Sequence, residues 1–140
     1  MIKLTKDQIK EIAENGTIDE HIQADDITIP FQTIDWKNIP KTSHAGETGI
    51  AYWQTVQFPG LRIRIVEYSA GYVADHWCQK GHIVYCLEGE FNSELDNGDT
   101  FNLKQGMTYV VSDDMGSHKS STKDGVKLMI VDGDFMKYRK

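Results

Sequence analysis

From residue 50 onward the chain carries a turn signal every ten residues or so, and this spacing confines it to a fold built from many short strands. Ile50–Phe58 and Leu61–Tyr68 are rich in β-branched and aromatic residues and are divided by Pro59-Gly60. Runs 82–87 and 90–95 flank Glu88-Gly89, and Asp96-Asn97-Gly98-Asp99 is a hairpin turn signal leading into 100–103. Runs 107–111 and 126–131, with a short strand at 118–121, complete the set. Turns at intervals of roughly 8–12 residues describe an all-β sandwich or small barrel of antiparallel strands. No internal repeat, low-complexity tract or linker interrupts the pattern. The expected organisation is one β-domain over 27–140, preceded by a helical extension over 1–26.

The extension reads as a short helix within the first sixteen residues. Thr5 is a good N-cap with Gln8 three residues on, and Leu4 and Ile9 are placed for a hydrophobic staple. Gly16 supplies the stop. Ile9, Ile12 and Ala13 make a thin apolar stripe, which suits docking on the sheet or on a partner subunit rather than independent stability.

Composition narrows the function. With 140 residues, 39% hydrophobic and 26% charged, the chain is long enough to bury a core. The net charge is −6 and the basic residues form no block, which argues against nucleic acid and against anionic membranes as partners. No apolar run approaches the roughly 18 residues of a membrane span. The start Met1-Ile2-Lys3-Leu4-Thr5-Lys6-Asp7 has no apolar secretory core, so a cytoplasmic location is expected. In that compartment Cys78 and Cys86 are thiols. Cys86, inside Ile83-Val84-Tyr85-Cys86-Leu87, reads as a small buried residue.

Cys78 belongs to a different setting, Asp75-His76-Trp77-Cys78-Gln79-Lys80-Gly81-His82, where two of the five histidines bracket a thiol. In extended chain, residues two apart share a face, so His76 and Cys78 can point together. A tight turn at Gln79-Lys80-Gly81 can bring His82 back beside them. Imidazole and thiolate suit zinc, and imidazole also suits iron, nickel or copper. Taken alone, histidines that merely satisfy local hydrogen bonds are the simpler explanation.

The wider pattern adds to this. Gly71, His76, Cys78, His82 and Gly89 fall at spacings that resemble the first motif of the cupin superfamily, a Gly, a His-X-His pair, a Glu and a Gly. Cys78 stands where the second histidine would be, and His82 where the glutamate would be. Gly106 and His118 resemble the second motif more loosely, with Ser112 at the usual proline, one extra residue before His118, and Thr122 at the usual asparagine. More narrowly, Asp75-His76-Trp77-Cys78, Lys80-Gly81-His82 and Leu87-Glu88-Gly89-Glu90 resemble the small bacterial DHCW-motif cupin fold proteins. Glu47-Thr48-Gly49, Ala51-Tyr52-Trp53, Glu67-Tyr68 and His118-Lys119-Ser120-Ser121-Thr122 match that group too, so the resemblance runs from about Ile29 to Asp132.

The resemblance implies a jelly-roll β-barrel with the site inside, facing one open end, and a homodimer. It carries over His76, Cys78, His82 and His118 as the ligands of a divalent metal ion. Zinc is the foremost candidate, with iron, nickel, copper or manganese behind it. Four protein ligands would close a tetrahedral site, whereas three histidines with Cys78 beside the metal would leave it open, and the open version is preferred.

Around this set, Asp75 could hold a ligand histidine, although an ordinary turn carboxylate would look the same. Arg62 and Arg64 share one strand face and could clamp a substrate carboxylate, with a solvated outer face as the plainer alternative. His44 and Glu47 read as loop residues near the barrel mouth. Trp53, Tyr85 and Tyr109 read as core, and Asp113 and Asp114 as a turn. Three functions follow: a metal-dependent enzyme on a small polar molecule, a non-catalytic ligand-binding or sensing module, or a partner-binding protein with an empty barrel. The first is preferred.

Overall fold

The structure, a computed structural model, describes residues 28–137 of the 140. The N-terminal helical reading lies outside them. No helix among the described residues is long and apolar enough to cross a membrane. The described residues form eight strands: β1 (Thr42–Ala45), β2 (Ile50–Phe58), β3 (Leu61–Tyr68), β4 (His82–Leu95), β5 (Thr100–Lys104), β6 (Thr108–Val111), β7 (His118–Ser121) and β8 (Val126–Gly133). All pairings are antiparallel, in the order β1-β2-β3-β8-β4-β5, with β6 and β7 also paired to β4.

Two strand expectations need correction. Runs 82–87 and 90–95 are one strand of 14 residues. The register shifts between Cys86 and Glu88, a bulge that bends the strand without ending it. β4 pairs with β6 as far as Tyr85 and with β8 through the bulge to Gly89, and from Glu90 onward with β5 and β7. Gly89 sits at the bend with φ +81°, and a Cβ there would meet the Gly125 carbonyl oxygen at 2.5 Å. β1 is the second correction: it is a short, polar strand paired only with β2 among the described residues, so it has no alternating apolar pattern to announce it.

Alternation along the central strands builds the interior and divides it. Arg64 pairs with Ile130, Val66 with Leu128 and Tyr68 with Val126, while Val84 and Cys86 oppose Ile130 and Leu128 from β4. Val66, Val84, Cys86, Phe91, Leu103 and Leu128 form the buried apolar core, which supplies the main stabilising term. Towards the other end of the same strands the inward residues turn polar: Arg62 pairs with Asp132, and His82 opens β4 just before Ile83, which pairs with Val131. The barrel thus has an apolar floor and a polar upper chamber.

Candidate metal centre

Backbone geometry places the three donors. Cys78 and His118 exchange hydrogen bonds in both directions, N–H to O at 2.8 Å and 3.0 Å. Such a pair sets two side chains next to each other on one face. Gly81 then packs its Cα so tightly that a Cβ would lie 2.5 Å from the Asp113 nitrogen and 2.7 Å from the Val111 oxygen. Its N–H donates to Asp113 Oδ1 at 2.6 Å, which fixes the entry into β4 and hence His82. Donor atoms of Cys78, His82 and His118 all lie within 4.8 Å of one another, with Cys78 Sγ 3.4 Å from His82 Nε2.

The two imidazoles are oriented by what their other nitrogen touches. His82 Nδ1 is 3.0 Å from Asp132 Oδ2, and His118 Nδ1 is 2.9 Å from the Gly116 carbonyl oxygen. A carbonyl only accepts, so His118 Nδ1 carries the proton and Nε2 keeps its lone pair. That Nε2 is buried and has no hydrogen-bond partner among the described residues. A buried polar atom without a partner costs about 1–3 kcal/mol, so this one calls for an occupant. An imidazole tethered at Nδ1 with Nε2 turned inward is the arrangement that metal-binding histidines adopt.

Asp132 is the hub behind this face. It is 1% exposed and accepts from Arg62 Nε and Nη2, each at 2.9 Å, from Arg64 Nη2 at 3.0 Å and from His82. Burial alone would raise its pKa, but the bonds from His82 and Arg62 and the charge of Arg64 prevail and hold it well below the usual carboxylate range. Burial disfavours the charged form of His82, yet Asp132 and Cys78 outweigh it and raise the imidazole pKa. Burial likewise opposes ionisation of Cys78, and the neighbouring His118 and His82 imidazoles overcome it and bring the thiol down to about 5. A thiolate is the form that binds metal.

The expected residues divide as follows. Cys78, His82 and His118 come together, and His76 does not join them. It lies at the exposed rim, where Nδ1 meets Asp75 Oδ1 at 2.6 Å. Asp75 therefore holds His76, whereas Asp132, which carried no motif, holds His82. Arg62 and Arg64 face inward, not outward, and the Arg64 guanidinium lies 4.5 Å from the Trp53 ring centroid. His44 is in β1, not in a loop, and stacks on Trp53 at 3.8 Å, while Glu47 pairs with Lys119 at 3.2 Å. Tyr85 points out and is exposed, contrary to the core reading. Thr122 is buried and donates to the Glu90 carbonyl at 2.8 Å.

A cavity of about 210 Å³ opens onto the trio, with walls that include Arg62, Arg64, Lys80, Tyr109, Ser120 and Ile130. That volume lies below the range of drug-sized ligand pockets, so it suits a small molecule.

The sequence matches no family model and no curated protein. Solved structures share its fold. The ectoine synthase of P. lautus superposes with a TM-score of 0.61 at 18% identity, over 74% of this chain and 78% of that one. An RmlC-like cupin from Shewanella frigidimarina gives 0.60 at 19% identity, over 74% and 90%. KdgF from a Halomonas species gives 0.55 at 20% identity, over 66% and 86%. At such identities the likeness is one of fold: the chain folds as a cupin-type jelly roll.

Proposed function

We propose that this barrel binds a divalent metal ion through Cys78 Sγ, His82 Nε2 and His118 Nε2, and that it acts on or binds a small polar molecule in the adjoining cavity. The observation that carries the reading is the buried Nε2 of His118, without a hydrogen-bond partner among the described residues and held beside two further donors by the Nδ1 contact to Gly116. Imidazole and thiolate donors favour zinc, with iron, nickel, copper or manganese as the other candidates. Three protein donors leave one tetrahedral position for water or ligand, as catalytic zinc sites do. When bound, such an ion supplies Lewis acidity to a ligand oxygen or lowers the pKa of a coordinated water.

The chain's own residues have separate parts in this. Asp132 keeps the His82 ring in place and its Nδ1 protonated. Gly116 does the same for His118. Tyr109, Val84, Leu128 and Ile130 give the chamber an apolar part of its wall, beside which charge interactions are screened less than in bulk water. Dimerisation, a cytoplasmic setting and kinship with the DHCW-motif group belong to the same proposal and rest on the sequence resemblance.

Elemental analysis of untagged protein tests the metal assignment. About one metal per chain is expected in the wild type and in His76→Ala, and loss in His82→Ala and His118→Ala. Metal lost with His76→Ala and kept in Cys78→Ser would restore the three-histidine set. A wild type that takes up no metal on reconstitution would sink the reading.

A further inference from the structure

We propose that the cavity's ligand is a small organic carboxylate, anchored by Arg64 with Arg62 beside it; this deepens the functional reading above by naming the ligand class. Among the described residues the walls hold three cations, Arg62, Arg64 and Lys80, and no acidic residue. Asp132 sits behind the two arginines. It already accepts four bonds, three from guanidinium groups and one from His82, with three of the four converging on Oδ2. Lys80 is engaged from outside by Asp113 at 3.7 Å. One carboxylate thus serves two guanidinium groups, and a thiolate engaged on a metal neutralises none of the remainder.

Arg64 is the group left short. It is 5% exposed, and its Nε is buried with no hydrogen-bond partner among the described residues. Its one counter-charge, Asp132, is shared with Arg62, and a buried donor left without an acceptor is costly in a group that cannot escape by losing its proton. Stacking over Trp53 holds the plane of the group, so its edge is pre-set for a planar acceptor. Hydroxyls of Ser120, Tyr68 and Tyr72 add donors along the same wall. Val84, Leu128 and Ile130 also line the cavity and offer an apolar surface that a carbon skeleton covers and a bare phosphate does not.

The test follows the Arg Nε–H signals in ¹⁵N-labelled protein, zinc-loaded and metal-free, during titration with propionate, pyruvate and inorganic phosphate. Zinc uptake is measured in parallel. Saturable shifts of the Arg64 and Arg62 signals by a carboxylate are expected, with tenfold or weaker binding in Arg64→Lys and Arg64→Gln. Arg64→Lys keeps the charge and removes the fork, so it remains informative if the glutamine variant fails to fold. Equal affinity in wild type and Arg64→Lys, no carboxylate shift at all, or tighter binding of phosphate than of either carboxylate would each overturn the inference. Zinc uptake without carboxylate binding would leave the metal reading standing and this one fallen. Carboxylate binding by protein that takes no zinc would do the reverse.

Discussion

Cys78 and His118 are held side by side by their own backbones, through a reciprocal pair of N–H to O bonds at 2.8 Å and 3.0 Å. Their side chains are therefore placed before any metal arrives. Cys78→Ser is expected to keep the fold, with a melting temperature within a few degrees of the wild type by circular dichroism. Its zinc affinity, read by chelator competition, should fall on the order of tenfold or more. Unchanged affinity would remove Cys78 from the ligand set.

Asp132→Asn should be costly in two ways. The two guanidinium groups lose their shared counter-charge, and breaking a buried pair of this kind costs about 3–5 kcal/mol. His82 also loses the acceptor that orients it, which typically weakens metal binding about 10–100-fold. Urea unfolding and zinc titration on one preparation read both effects. A variant as stable as the wild type would show that Asp132 is not the hub described above.

Gly81 and Gly98 make a matched pair. An added methyl at Gly81 meets backbone atoms at 2.5 Å beside the start of β4, so Gly81→Ala should displace His82 and lower zinc affinity as well as stability. At Gly98, φ is +95° and the surroundings are open, so Gly98→Ala should cost only about 1–2 kcal/mol of backbone strain and leave zinc binding intact. Equal zinc affinity in the two variants would contradict the placement of His82 by its turn.

The two thiols should react differently. Cys78 is half-buried and borders the cavity, while Cys86 is 0% exposed in the core. Metal-free protein treated with iodoacetamide at neutral pH should be alkylated at Cys78 and spared at Cys86, as peptide mass spectrometry would resolve. Zinc should protect Cys78. Alkylation at the same rate with and without zinc would place the thiol outside the coordination sphere.

Much of this was legible along the chain because alternation and turns are local properties. Pro59-Gly60 and Asp96-Asn97-Gly98-Asp99 separate strands where the residues say they should. Local spacing suggested that Cys78 and His82 could lie together, whereas His118 was carried only by the motif resemblance; the donor atoms of all three lie within 4.8 Å of one another. What stayed hidden depends on partners distant in sequence. Asp132 lies 50 residues from His82 and 70 from Arg62, so nothing near it marks its part. His76 was expected beside Cys78 from its position two residues earlier, and its Nδ1 instead meets Asp75 Oδ1 at the exposed rim. The inward turn of Arg62 and Arg64 is decided by the register of β3 on β8, which period-two alternation leaves open until one face is known to be buried.

Strand β4 has a consequence for how the barrel stays shut. Laid straight, the thirteen steps from His82 to Leu95 would span roughly 43 Å at the usual rise per residue. Leu95 nevertheless registers against His118, whose ring centroid lies 5.3 Å from that of His82. The strand is thus a hoop whose two ends meet at the donor trio, and the ion proposed above would be its buckle. Loosening the bend at Gly89 and emptying the site are two ways of undoing the same fastening.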